Sequence, residues 1–357
     1  MWSIAAHNVG VTAAALPPVQ GPVRVALALG SGGARGYAHI GVIEELRARG
    51  YQIVGVAGSS MGALVGGVQA AGRLDELTDW ATSLTQRNIL RLLDPSLSAA
   101  GVMRAEKILD AVRDILGPVR IEELQIPFTA VATDLLAGKS VWFQRGPLDQ
   151  AIRASIAIPG VIAPHEIDGR LLADGGILDP LPMAPIAAVG ADLTIAVSLN
   201  GSGPGVTPDQ EPGVTAEWLN RMVRGTTALL DRPTARALRS RFGAFAPDAD
   251  ADAEAEAEGA PEEPDVTEHS AAAGVPKLGS FEVMNRTIDI AQAALARHTL
   301  AAYPPDVVIE VPRATCRSLE FHRAAEVIAT GKELTAAALD ALESAPRDET
   351  ASPAVDG

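Results

Sequence analysis

The sequence predicts an α/β protein built on a parallel sheet, and three observations carry that prediction. Short apolar runs closed by glycine alternate with segments of helical spacing. Aromatic residues are only 4% of the chain while 47% is hydrophobic, so Ala, Val, Leu and Ile must fill the core. At 357 residues the chain is long enough for one large domain or two ordinary ones.

The elements follow in order. Residues 1–20 read as a loose arm ending in Pro17-Pro18. Val23–Gly30 is an apolar run closed by glycine, the pattern of a buried strand. In the segment after it Ile40, Ile43 and Leu46 share one helical face, and Gly50 ends that helix. Tyr51–Ser59 is a second buried strand, followed by a small-residue helix that closes at Gly72. Strand, helix, strand, helix implies parallel strands with right-handed crossovers. Further strands are expected at Phe128–Leu135, Leu193–Leu199 and Asp306–Val311, and a more exposed one at Lys139–Gly146. Helices are expected at Arg104–Leu116, Leu148–Ile156, Phe281–Ala302 and Leu319–Glu343.

The organisation expected is an arm (1–20), a core (21–200), an acidic insertion (201–280), a C-terminal completion of the core (281–345) and a tail (346–357). The insertion is turn-rich and then low-complexity, with one helix expected at Ala216–Leu230. Between Asp248 and Glu268 it holds ten acids and no Lys or Arg, so disorder is expected there. Removing those ten acids from the net charge of −15 leaves −5. The body is only mildly acidic, which argues against a nucleic-acid partner. Cys316 is the sole cysteine, so no intrachain disulfide can form. The first twenty residues lack a basic n-region and a long apolar block, and no window approaches ~20 apolar residues. No signal peptide or spanning helix is expected. A cytoplasmic protein is, with peripheral contact at the inner membrane face compatible with it. Gln86–Met103 sets Ile89, Leu90, Leu92 and Leu93 beside Arg87 and Arg91. That pattern suits an interfacial segment at anionic lipid and equally a helix packed on the core.

Two glycine-rich stretches carry the chemistry. Leu29–Gly36 joins a strand to a helix, where backbone N–H groups can hold negative charge. A dinucleotide loop fits poorly: counted from Gly30, the sixth place of G-x-G-x-x-G is Arg35, and Gly58-Ser59 stands where a ribose-binding acid would be. An oxyanion hole from the Gly32 and Gly33 amides is a second reading, and a tight turn is a third. Gly58–Gly62 matches G-x-S-x-G around Ser60, after a strand and before a helix, the setting of a nucleophile elbow. A packing turn would share that composition. A serine hydroxyl needs a base. None of His7, His39, His165, His269, His298 and His322 lies in a glycine-rich loop after a strand. Asp174 ends an apolar run and precedes Gly175 and Gly176, which suits a carboxylate brought close to another loop or an ordinary turn. A free Asp, titrating near ~3.9, is a poor base for an alcohol.

These three motifs resemble those of bacterial patatin-like phospholipases. The resemblance rests on Ser31–Gly36, Gly58–Gly62 and Asp174–Gly176 in that order, and Ala154–Pro164 is similar to the family's segment before the aspartate. It covers about Val23 to Leu199, and more weakly the last helices. Ser31 departs from the family, which usually has a glycine there, and the acidic insertion has no family counterpart. The resemblance implies a three-layer fold, a mostly parallel central sheet with helices on both faces. It implies a Ser–Asp dyad of Ser60 and Asp174, an oxyanion hole at Gly32 and Gly33, and supporting roles for Arg35, Gly36, Gly58, Gly62, Gly175 and Gly176. It implies hydrolysis of fatty-acyl esters, a lipid or acyl-ester substrate, and no cofactor or metal. Two alternatives stand: a histidine triad of Ser60, Asp174 and His322, and a patatin-like lipid-binding or regulatory protein with little hydrolysis. No protein partner is assigned.

Overall fold

The structure, a computed structural model, describes residues 9–11, 21–88, 106–201 and 280–344. The strands are β1 (Val9–Val11), β2 (Arg24–Leu29), β3 (Gln52–Ser59), β4 (Phe128–Asp134), β5 (Lys139–Phe143), β6 (His165–Ile167), β7 (Arg170–Asp174), β8 (Leu193–Gly201) and β9 (Val307–Pro312). The helices are α1 (Ala38–Ala48), α2 (Met61–Ala70), α3 (Leu74–Ser83), α4 (Glu106–Leu116), α5 (Leu148–Ser155), α6 (Ser280–Ala302) and α7 (Ala324–Ser344).

One sheet runs in the order β1-β9-β8-β2-β3-β4-β7-β6, with β5 also pairing β4. Its centre, β9-β8-β2-β3-β4, is parallel throughout. Antiparallel strands finish both sides. The alternation of β2 sorts the two faces. Val25, Leu27 and Leu29 join the large core formed with α1, α2, α3, α4, α5 and α7. Ala26 and Ala28 face the other way, against Leu181, Met183, Ile186 and Ala296 of α6. Alanines on this second face let its cover sit close to the sheet. The result is the expected three layers.

Four departures from the sequence reading stand out. The N-terminal arm contributes β1, which pairs antiparallel with β9 from Val9 opposite Ile309. A three-residue strand has too few alternations to register as a pattern. Strand β6, also of three residues and paired with β7, hides for the same reason. The helix expected from Leu319 begins at Ala324, after a 3-10 turn at Phe321–Arg323. Helix α3 was not anticipated, although Leu74, Leu77 and Ala81 form its buried stripe and Asp75 and Glu76 favour its first turn. The acidic run 248–268, the expected helix Ala216–Leu230 and all of Gln86–Met103 beyond residue 88 lie outside the described residues. Among the described residues no helix is long and apolar enough to cross a membrane.

The topology prepares a site. β2 and β3 are adjacent and parallel, so their C-terminal ends open side by side. In open α/β sheets that edge is where ligands bind. The glycine loop leaves β2 there, Ser60 leaves β3 there, and Asp174 ends β7 opposite Ala132 of β4.

Candidate active site

Ser60 has φ 56° and ψ −121°, one of two non-glycine residues with positive φ among the described residues. Such a conformation costs on the order of 1–3 kcal/mol and persists only when its surroundings hold it. Two contacts explain why the flanking residues are glycines. A Cβ on Gly58 would collide with the Gly62 carbonyl, and a Cβ on Gly62 with the Leu29 carbonyl. The backbone at the elbow is packed against itself and against the end of β2. The Ser60 N–H, turned away from any helical or sheet partner, donates to Ser155 Oγ at 2.9 Å. Ser155 Oγ in turn donates to the Val131 carbonyl of β4 at 2.5 Å. The Ala63 and Leu64 N–H groups return to the Ser60 carbonyl and start α2.

The Ser60 hydroxyl donates to Asp174 Oδ2 at 2.5 Å. The other carboxylate oxygen, Oδ1, accepts the Gly176 N–H at 2.7 Å. The backbone of Asp174 is pinned from both sides: its N–H donates to the Ala157 carbonyl, and its carbonyl accepts from Thr133 Oγ1, each at 3.0 Å. Ser60 and Asp174 are both buried. Burial raises the Asp174 carboxyl to about 6, against the opposing pull of the Ser60 and Gly176 hydrogen bonds. A carboxylate with that affinity for protons is a far better match to a serine hydroxyl than a free aspartate.

The glycine loop presents two open amides. The Gly30, Ser31 and Ala34 N–H groups donate to the carbonyls of Val197, Pro180 and Ser318. Those of Gly32 and Gly33 have no acceptor among the described residues. Gly33 adopts φ +58°, and a Cβ there would also collide with the Ser318 carbonyl. Met61, as the first residue of α2, has no preceding helical turn to accept its N–H, so a third open amide follows the serine. Two buried side chains fix the loop from beneath. His39 Nε2 donates to the Gly30 carbonyl at 2.9 Å, and burial lowers its imidazole to about 4, which keeps it neutral. Arg35 reaches Asp289 at 3.3 Å and the Cys316 carbonyl at 3.5 Å, tying the loop to α6 and to the segment after β9.

No histidine touches Ser60 or Asp174 among the described residues. His39 holds the loop, and His165 pairs with Gln150. His298 lies on the exposed side of α6, and His322 in the 3-10 turn before α7.

Two chambers meet at Ser60 and Gly33. One, of about 760 Å³, is apolar: Leu64, Trp80, Ile108, Val112, Ile162 and Phe321 are among its walls. The other, of about 530 Å³, is the more polar of the two: Ser31, Asp174, Asp289, Gln292 and Ser318 line it together with Ile158, Val161, Ile288 and Leu319. Such an arrangement has room for an apolar chain and a polar group on either side of one reacting carbonyl.

A family model described as patatin-like phospholipase matches residues 27–187. An uncharacterized NTE family protein of Mycobacterium tuberculosis is 73% identical over 346 residues, covering 94% of this chain and 96% of that protein. The chain belongs to the patatin-like phospholipase family. Similar patatin-like sequence recurs in longer proteins. Neuropathy target esterase of Drosophila melanogaster is 31% identical over 182 residues, 49% of this chain and 13% of that protein. Patatin-like phospholipase domain-containing protein 6 of Homo sapiens is 32% identical over 183 residues, again 49% and 13%. This patatin-like chain brings Ser60, Asp174 and the glycine loop to one point. Arg35 and Gly36 sit behind the loop, both buried. Gly175 and Gly176 follow the carboxylate, and Gly58 and Gly62 shape the elbow. Sequence reasoning passed over Ser155, Gln292 and the Met61 amide. Ser155 lies in the Ala154–Pro164 stretch without a role read for it, and Gln292 sits in a helix with nothing local to mark it, so only the tertiary structure shows what they touch.

Proposed function

We propose that this chain is a serine lipid acyl hydrolase, of phospholipase A, lysophospholipase or esterase type, working through a Ser60–Asp174 dyad. Ser60 Oγ attacks the acyl carbonyl while Asp174 Oδ2 takes its proton. The Gly32 and Gly33 amides, with the Met61 N–H, stabilise the oxyanion. Losing one such donor typically costs about 3 kcal/mol of transition-state stabilisation. Protonated Asp174 returns the proton to the leaving alcohol. Asp174 then activates the water that releases the fatty acid from the Ser60 ester. The acyl chain occupies the apolar chamber and the alcohol departs through the polar one. Substrate arrives from a lipid surface by peripheral contact. The reading rests on one observation above the others: the 2.5 Å hydrogen bond from a conformationally strained serine to a buried carboxylate. The same observation favours the dyad over the His322 triad, since both Asp174 oxygens already have donors other than histidine.

Turnover on phospholipids, lysophospholipids, monoacylglycerols and acyl-CoA tests this reading. Ser60→Ala is expected to abolish hydrolysis of whichever esters the wild type cleaves, and Asp174→Asn to lower it by several orders of magnitude, both in folded protein. A folded wild type that binds these lipids without cleaving any of them would favour the binding or regulatory alternative.

A further inference from the structure

The polar chamber contains two side chains that neither the fold nor the dyad uses. Ser31 stands in the glycine loop where the family pattern usually has glycine, and Gln292 projects from α6. Ser31 is 3% and Gln292 7% exposed, and both line the chamber together with Asp174. Among the described residues neither side chain has a hydrogen-bond partner. Their polar atoms open onto the chamber, where water or a ligand can satisfy them, as such groups normally are. The two also converge. A Cβ on Gly176 would collide with both Ser31 Oγ and Gln292 Nε2, so both head groups crowd the same face of that glycine. The N–H of Gly176 is the one held by Asp174 Oδ1. Ser31 and Gln292 therefore lie beside the Asp174–Gly176 turn, in the chamber on the α6 side of the site.

The charges around them narrow the ligand. Among the described residues the chamber lining includes Asp174 and Asp289 and no Lys, Arg or His. Arg35, the partner of Asp289, is buried with only 4% of its side chain exposed. Among the described residues a phosphate close to the scissile oxygen would meet carboxylates and no facing cation. A hydroxyl there meets a hydroxyl and an amide, each able to donate and to accept.

We propose that Ser31 and Gln292 form a leaving-group subsite that recognises the hydroxyl next to the scissile ester oxygen of a neutral, glycerol-like alcohol. The proposal rests on the acyl-hydrolase reading and sharpens it. Sites built to bond a substrate hydroxyl discriminate against analogues that lack it, because their own polar groups are then left unpaired.

The test compares kcat/KM for three substrates of one acyl length: a 1-acylglycerol, the methyl ester, and the 1-acylglycerol 3-phosphate. The wild type is expected to favour the acylglycerol over both others by about tenfold or more. Ser31→Gly and Gln292→Leu are each expected to reduce the acylglycerol-to-methyl-ester ratio by roughly 3- to 10-fold, the worth of a neutral hydrogen bond. Ser31→Gly only restores the residue usual at that loop position, so it provides a folded variant even if Gln292→Leu does not. A ratio unchanged in folded variants, or a wild type that prefers the phosphate, overturns the subsite. Ser60→Ala separates this from a failure of the underlying reading. If Ser60→Ala abolishes hydrolysis while the ratio ignores Ser31 and Gln292, only the subsite falls. If folded Ser60→Ala still cleaves the esters, the acyl-hydrolase mechanism falls first.

Discussion

The two chambers that meet at Ser60 draw on opposite faces of one sheet, share Ile158, Val161 and Leu319 along their seam, and differ in the polar groups that only the smaller one holds. The larger takes its walls from α2, α3, α4 and the 156–162 segment, with Leu64, Trp80, Ile108, Val112 and Val161 among them. The smaller adds Ile288, Asp289 and Gln292 of α6 to the polar glycine loop and Asp174. The serine lies on the seam because β3 ends there, between a thick helical layer and a thin one. In the proposed reaction the seam divides the substrate as well. Acyl-chain length is read on the apolar face, and the identity of the alcohol on the polar face. Changes on one side should alter selectivity for one half of the substrate only.

The largest expected effect comes from filling the apolar side. Ile108 is only half-buried, so Ile108→Trp can extend into that chamber without overpacking the centre of the core. Excluding three methylenes forfeits about 2.4 kcal/mol at about 0.8 per CH₂, or roughly 50-fold. The ratio of kcat/KM for a sixteen-carbon over a four-carbon ester should fall by at least about that factor, while preference among alcohols stays put. Equal losses on both esters would show that the chamber does not hold the chain.

A smaller effect, roughly tenfold per pH unit, belongs to the seam. In the proposed dyad Asp174 must be ionised to accept the serine proton, and burial raises its carboxyl to about 6. For a short soluble ester, kcat/KM should drop about tenfold per unit below that value and level off above it. His39 is neutral well below that range, and among the described residues no histidine touches the dyad. A second limb that disappears in His322→Ala would bring the triad back.

The smallest effect is thermodynamic and runs opposite to activity. The folded Asp174 carboxyl is raised from 3.8 to about 6, so the native state binds its proton more tightly than the unfolded chain. That contribution to stability is complete below pH 3.8 and is lost as pH rises through about 6. At pH 8 the wild type therefore carries a buried charge that Asp174→Asn lacks. The variant should be more stable there by on the order of 1–3 kcal/mol, with the difference shrinking toward pH 4. Melting temperatures of the two proteins across that range check it. An Asp174→Asn protein less stable at pH 8 would mean that the carboxylate holds the site together rather than straining it.

Much of this asymmetry was legible in the sequence, though not evenly. β2, β3, β4, β8 and β9 announce themselves as apolar runs because both faces of a central parallel sheet are covered. Ser60, Asp174 and the glycine loop are marked by glycines, and the structure shows the contacts behind the elbow: carbonyls sit where Cβ atoms of Gly58 and Gly62 would be. The basicity of Asp174 was not legible. A sequence shows an aspartate that titrates near ~3.9, and only burial, a tertiary property, raises it. Ser155 and Gln292 were hidden for a related reason. Each acts across 95 residues or more, Ser155 on Ser60 and Gln292 on the face of Gly176, and no local pattern encodes a partner so distant. The short edge strands β1 and β6 were missed because three residues make no period.

The central claim is that Ser60 is the nucleophile and Asp174 its only base, and covalent trapping tests it most directly. A fluorophosphonate should label the wild type at one residue per chain, with peptide mass locating the adduct on Ser60. Labelling should be absent in Ser60→Ala, strongly slowed in Asp174→Asn, and within a few-fold of wild type in His298→Ala and His322→Ala. An adduct on another residue, or a folded histidine variant as unreactive as Ser60→Ala, would contradict the account.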